Sequence, residues 1–264
     1  MKSVSIVLVP VLAGLALATP ASAQDGNAEG KRTRIAIGPQ VVPSWPGSDD
    51  VSLRPFFDID SATGEQPFEF EAPDEGFGFG LVKTGGLSFG PSLGFEGERK
   101  SEAVGGILPK VKLSVELGAF ANYEISDNLR LRAEVRQAVS GHDGLIANLG
   151  ADYIIRDADD YLFSIGPRVT ITDNKFQDSY YSVTPAQSLA SGLPAYDAGG
   201  GVQSVGATAG FIKQLSERWG IYTYAKYERL VGDPADSPVI TAYGSKDQFY
   251  GGLAVTYTFD GGIF

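Results

Sequence analysis

Apolar residues recur at every second position along most of this chain. Over residues 111–123 the odd positions Val111, Leu113, Val115, Leu117, Ala119, Ala121 and Tyr123 are apolar, and the even ones include Lys112, Ser114, Glu116, Gly118 and Asn122. After a turn at 126–128, Leu129, Leu131, Ala133 and Val135 alternate with Arg130, Arg132, Glu134 and Arg136. A period of two predicts strands with one apolar and one polar face. The same alternation predicts strands at 33–41, 51–60, 66–71, 77–83, 87–96, 145–153, 161–171, 205–213, 220–230 and 248–259. That makes twelve strands, or ten if the two weak ones at 66–71 and 77–83 are left out. The longest match the ~9–11 residues that cross a membrane when tilted. A soluble sandwich favours ~5–6.

The connections alternate too. Those at 61–65, 84–86, 126–128, 156–160 and 214–219 are turns, and the others run longer, except 72–76. Short turns on one side and long loops on the other predict an all-β, antiparallel transmembrane barrel of the outer-membrane type, with both termini periplasmic. In lipid every backbone group must pair, so the sheet must close, and the last strand is expected to meet the first. On that last strand Leu253, Val255, Tyr257 and Phe259 share one face, and an apolar face ending in an aromatic residue resembles the assembly signal of such barrels. The expected partners are therefore outer-membrane lipid and the barrel-assembly machinery.

The first residues read as an address. Lys2 is followed by an apolar run over 4–17 and by Ala21-Ser22-Ala23, which predicts a signal peptide at 1–23 and a mature start at Gln24. A flexible leader at 24–32 and a single barrel domain at 33–264 follow. A membrane anchor is the competing reading, but the run is shorter than the ~20 residues a spanning helix needs.

Composition trims the alternatives. There is no cysteine, so neither a disulfide framework nor thiol chemistry is available. Without Lys2 the chain carries 20 Lys plus Arg against 32 Asp plus Glu, a net −12, which argues against nucleic acid as a partner. No cofactor is expected. The one histidine, His142, lies in Gly141-His142-Asp143-Gly144, where a polar turn is favoured over a catalytic base. Metal-ligand spacing is missing, and the glycines at 76–80 lack the Lys-Ser/Thr of a phosphate loop.

Charge on the inward face is the unusual feature. Lys112, Glu116, Arg130, Arg132, Glu134, Arg136, Asp152 and Arg168 are expected to form a lumen charge network, joined by Arg54, Asp58, Glu96, Lys226 and Glu228. Paired across strands they would plug the barrel; left open they would line a channel. The plug is favoured, since small barrels are usually filled by side chains. The long segment 172–204 holds Phe176, Tyr180, Tyr181 and Tyr196, too apolar for free solvation, and is expected to fold over or into the extracellular mouth with Tyr181 and Tyr196 as anchors.

Several stretches carry a family resemblance. They are Tyr180-Tyr181-Ser182-Val183-Thr184-Pro185-Ala186-Gln187-Ser188, Ser191-Gly192-Leu193-Pro194-Ala195-Tyr196-Asp197-Ala198, Gly141-His142-Asp143-Gly144-Leu145 and Gly150-Ala151-Asp152-Tyr153. Together with Ser88-Phe89-Gly90-Pro91-Ser92 and Glu116-Leu117-Gly118-Ala119-Phe120, they resemble the MipA/OmpV family of outer-membrane proteins over almost the whole mature chain. The tail at 260–264 departs from the family, whose members usually stop at the terminal aromatic residue. The resemblance implies a scaffold joining a murein transglycosylase and a murein synthase at the outer membrane, or a porin-like or adhesive role. It implies no catalytic residues. The ranking is structural or scaffold barrel, then narrow channel, then adhesin, with an enzyme last.

Overall fold

The computed structural model describes residues 30–262 and the two-residue strand β1 (Ser5–Ile6). The cleavage site after Ala23, most of the leader and Phe264 lie outside the described residues.

The first long strand, β2 (Lys31–Pro43), starts inside the stretch assigned to the leader. It pairs on one side with β3 (Val51–Thr63) and on the other with the last strand, β13 (Asp247–Asp260). First and last strands therefore meet, in the register Phe259↔Thr33, Tyr257↔Ile35 and Val255↔Ile37. From β13 the sheet continues through β12 (Trp219–Leu230), β11 (Gly201–Gln214), β10 (Tyr161–Thr172), β9 (Leu145–Asp157), β8 (Leu129–Ala138), β7 (Ser114–Ser126) and β6 (Leu87–Glu96). Two short pieces, β4 (Phe77–Gly78) and β5 (Val82–Thr84), both pair with β6. The twelve strands β2–β13 form one antiparallel, curled sheet, and β1 adds a parallel pair to β3. No helix among the described residues is long and apolar enough to cross a membrane.

The two faces of each strand part as the alternation requires. Ile37, Phe57, Leu117, Val135, Ile165, Leu253 and Val255 point outward and are exposed, as a lipid-facing belt needs. Their neighbours Ala36, Phe56, Glu116, Glu134, Ser164, Ala254 and Thr256 are buried inside. Aromatic pairs mark both ends of β12 and β13: the rings of Trp219 and Tyr257 lie 4.7 Å apart at the periplasmic end, and those of Tyr227 and Phe249 5.1 Å apart at the extracellular end.

One wall strand is missing. Residues 66–71 are not a strand, although their Phe-Glu-Phe-Glu pattern predicts one, and the expected strand at 77–83 is reduced to β4 and β5. Among the described residues, β3 makes no ladder with β4, β5 or β6. The two edges come together at the extracellular end, where a Cβ on Gly97, just after β6, would lie 2.7 Å from the Ser44 carbonyl oxygen and 2.9 Å from Arg54 Nη2. Segment 64–76 instead runs through the interior.

The long connections build a cap. Helices α1 (Asn174–Tyr181) and α2 (Pro185–Ser191) come from one loop, α3 (Gly232–Asp236) and α4 (Pro238–Tyr243) from another. Each start but that of α3 is fixed by a side-chain cap: Asp173 for α1, Thr184 with Gln187 in a capping box for α2, and Ser237 for α4. The apolar residues of α1, α3 and α4 meet Trp45, Val104, Leu108 and Ile146 in one buried cluster over the extracellular mouth, to which α2 contributes no buried residue.

Candidate functional site

The interior of the barrel is where the chain spends its charge. Arginines on β8 point inward at alternate positions, so Arg130, Arg132 and Arg136 stack along one face, with Glu134 between them. Glycines leave room for the inward arginines: a Cβ on Gly94 of β6 would fall 2.5 Å from Arg136 Nε, and one on Gly150 of β9 would fall 3.1 Å from Nη1 of Arg168 on β10.

These groups form one unbroken series, ion pairs throughout except for the hydrogen bond at its His142 end. His142 Nε2 meets Glu116 at 2.9 Å, and Glu116 meets Arg136 at 2.8 Å. Arg136 reaches Glu134 at 2.8 Å, and Glu134 lies 3.2 Å from Arg132. Arg132 contacts Glu75 at 3.3 Å, Glu75 pairs with Arg130, and Arg130 reaches Asp152 at 2.8 Å. Asp152 bonds Arg168 at 2.6 Å, Arg168 holds Asp74 at 3.0 Å, and Asp74 lies 3.3 Å from Lys226, itself 3.0 Å from Glu228. Most of the members are nearly inaccessible to solvent.

Of the eight residues assigned to a lumen network from sequence, seven sit in this series. Lys112 does not. The alternation breaks before β7, because Val111 pairs with Arg99 in an isolated bridge, and the Lys112 side chain is exposed. Two members of the series, Asp74 and Glu75, were invisible to sequence reasoning because they read as a turn.

They belong to the segment that left the wall. An extended backbone without ladder partners must find other ones, and here guanidinium groups supply them at every second carbonyl. Arg32 donates to the carbonyls of Gly64 at 2.8 Å and Gln66 at 2.6 Å, Arg156 to Phe68 at 2.9 Å, and Arg130 to Phe70 at 3.0 Å. The Phe68 amide donates to Asp159 at 2.9 Å. The two phenylalanines lie under cations: Phe68 is 4.5 Å from Arg34, and Phe70 is 4.3 Å from Arg130. Asp74 also accepts from Thr208 at 2.9 Å, so a single carboxylate ties the segment to β10, β11 and β12. The gap left between Phe70, Glu75, Phe120 and Arg132 is about 20 Å³, room for about one water molecule.

His142 is structural in its geometry. Its Nδ1 accepts from the Gly144 amide at 3.0 Å, which leaves the proton on Nε2 to donate to Glu116, and its ring stacks edge-on against Phe176 at 4.7 Å. Among the described residues no hydroxyl is paired with the ring. A second grouping, Asp58, Asp60 and Glu71, brings three carboxylates within 4.8 Å of one another, with Asp60 bonded to Arg34 at 2.7 Å. Three ligands are about half of the ~6–8 oxygens that a calcium ion takes. Sequence spacing could not find this trio, since Glu71 reaches it only from the displaced segment.

The loop anchors lie in the cap. Tyr181 is fully buried; its carbonyl accepts from Ser237 Oγ at 2.6 Å and its hydroxyl from Gln203 at 3.1 Å. Tyr196 is half-buried and donates its hydroxyl to the Asp233 carbonyl at 2.9 Å. Of the terminal motif, Leu253 and Val255 are exposed to the outside, and Tyr257 and Phe259 are half-buried, with ring centroids 6.4 Å apart.

The family described as MltA-interacting protein MipA matches this chain over residues 35–259. No curated protein sequence matches it. Among solved structures, the translocator domain of the autotransporter NalP from Neisseria meningitidis is 12% identical, covering 89% of this chain and 90% of that one, with a TM-score of 0.42. The outer-membrane protein OprG from Pseudomonas aeruginosa is 13% identical, covering 89% and 98%, at a TM-score of 0.26. Neisserial surface protein A is 9% identical, covering 88% and 98%, at 0.27. None of the three reaches a TM-score of 0.5, so no shared function follows from them.

Proposed function

The chain belongs to the MipA family of bacterial outer-membrane β-barrel proteins, and from that premise we propose that it is a closed, non-enzymatic structural barrel that acts through its surfaces rather than through its lumen. The observation that carries this reading is the ion-pair series, which crosses the interior and locks segment 64–76 to the far wall. A solute would have to break several buried pairs at once to pass. Neither the His142 contacts nor the carboxylate trio offers a nucleophile with its base.

Within that reading the barrel is a scaffold: the family description, MltA-interacting protein, supports an MltA-type murein transglycosylase as one partner, and the resemblance drawn from the sequence adds a murein synthase as the second. The periplasmic surface available to such enzymes is small, since the turns there are short. The barrel-assembly machinery and outer-membrane lipid would be its partners in the envelope. A narrow channel is the second reading, favoured by the lack of any ladder between β3 and β6.

Planar-bilayer recordings on refolded protein test the closed state: the expected conductance is near zero, and a large stable conductance would promote the channel. Co-purification with a purified MltA-type transglycosylase tests the scaffold, and no retention at micromolar concentrations would remove it.

A further inference from the structure

Five arginines are buried among the described residues: Arg34, Arg99, Arg130, Arg132 and Arg168. Four of them meet a carboxylate at ion-pair distance inside the barrel. Arg99 is the exception. It sits in the extracellular cap, on the connection between β6 and β7, and forms no ion pair among the described residues.

Its surroundings are built to hold a cation without neutralising it. One Nη donates to the Tyr180 carbonyl and the other to the Pro109 carbonyl at 3.1 Å. The rings of Trp45 and Tyr180 each lie 5.8 Å from the guanidinium carbon. Nε has no acceptor at all, although it is buried. Burial without a counter-ion pulls the Arg99 pKa down to about 10. A buried charge lacking its partner is costly, and so is an unsatisfied buried donor.

The same arginine lines a groove of about 140 Å³ on the cap surface. Lys110 adds a second positive charge, and Ser179, Ser182 and Gln187 add polar groups. The acid on its wall, Asp178, is exposed and accepts from Ser182 Oγ at 2.9 Å. The groove is thus a cationic spot on a chain of net charge −11.

We propose that this groove is an extracellular oxyanion site, in which a phosphoryl-type group takes the place of the missing counter-ion of Arg99, with Lys110 at the mouth. A guanidinium suits tetrahedral oxyanions because its fixed donors match two oxygens at once. The site lies in the cap, so it stands or falls independently of whether the lumen is closed.

The test uses full-length refolded protein in neutral detergent, titrated with sodium phosphate at ionic strength held constant with sodium chloride, and followed by thermal unfolding and calorimetry. The expected result is saturable binding that chloride does not reproduce, weakened at least 10-fold in Lys110→Glu, a surface change that leaves the Arg99 cradle untouched. Arg99→Lys should also weaken it, since an ammonium lacks the fork. A parallel titration with glucose 1-phosphate separates the sources: tighter binding than phosphate assigns an esterified group, equal binding assigns the free ion, and either supports the site. No saturable effect from either, or equal affinity in Lys110→Glu, would overturn it.

Discussion

Removing the Asp74 carboxylate should release the segment that fills the barrel. In the native state it touches Arg168 at 3.0 Å, Lys226 at 3.3 Å and the Thr208 hydroxyl at 2.9 Å. In Asp74→Ala both cations keep a second carboxylate, Asp152 at 2.6 Å and Glu228 at 3.0 Å. Breaking a buried pair costs ~3–5 kcal/mol when a charge is left alone. Neither cation is left alone here, so the cost is instead that of the charge-assisted hydrogen bonds lost from Arg168 and Thr208, ~1.5–3 kcal/mol each, and ~3 kcal/mol is the low-end sum. At ~1.4 kcal/mol per factor of ten, the ratio of docked to released segment falls about 100-fold. Asp74→Asn keeps an acceptor for Thr208 and isolates the charge, so it should fall between wild type and the alanine variant. Planar-bilayer recordings read the release as intermittent openings on a silent baseline, and urea unfolding reads the lost stability. A variant that stays silent and keeps its unfolding midpoint would refute the reasoning, because the segment would then be held by something other than Asp74.

Changing Arg132 and Arg136 together to alanine removes both arginine partners of Glu134 and leaves Glu75 with Arg130 alone and Glu116 with His142 alone, and should raise conductance more than either single change; ion selectivity should lose any anion preference. Phe259→Ala should impair membrane assembly, measured as the heat-modifiable fraction, whereas deletion of 260–264 should leave it nearly normal, at the loss of the Thr33 hydroxyl bond to the Gly261 carbonyl at 2.7 Å; the reverse result would assign the signal to the tail. Phe176→Ala empties a fully buried site in the cap, a class of change that costs ~3–5 kcal/mol, and should expose 173–200 to protease on intact cells; unchanged resistance would count against a packed cap. Mass spectrometry of the mature protein should find Gln24 at the N-terminus, and an intact Met1 would refute cleavage.

The wall of the barrel was legible because a strand crossing a membrane has one lipid face and one inner face, and so alternates strictly over its whole length. Strands β7 to β13 and the meeting of Phe259 with Thr33 follow from that. The displaced segment was not legible for the same reason. Phe68 and Phe70 alternate with Glu69 and Glu71 as lipid-facing residues would, yet they rest under Arg34 and Arg130. Alternation records two faces and cannot say which solvent each one meets. The arginines of β8 announced the network, but their acids on 74 and 75 come from far along the chain and look like turn residues. The cap helices left local signs that went unused: Asp173, Thr184 and Ser237 at their starts, with Pro185 and Pro238 in the first turn.

The break in the ladder between β3 and β6 also says where this fold has its true ends. The first and last long strands are stitched together: β2 and β13 share a registered ladder, and the Gly261 amide donates to the Lys31 carbonyl at 2.7 Å. The discontinuity in the hydrogen-bonded surface lies inside the sequence, between Thr63 and Leu87. A gene rearranged to join residues 31 and 261 through a short linker, and opened instead between 64 and 76, would keep every long ladder intact while turning the interior segment into a loose tail. Such a permuted chain would separate two jobs that the natural connectivity fuses, making the wall and filling it.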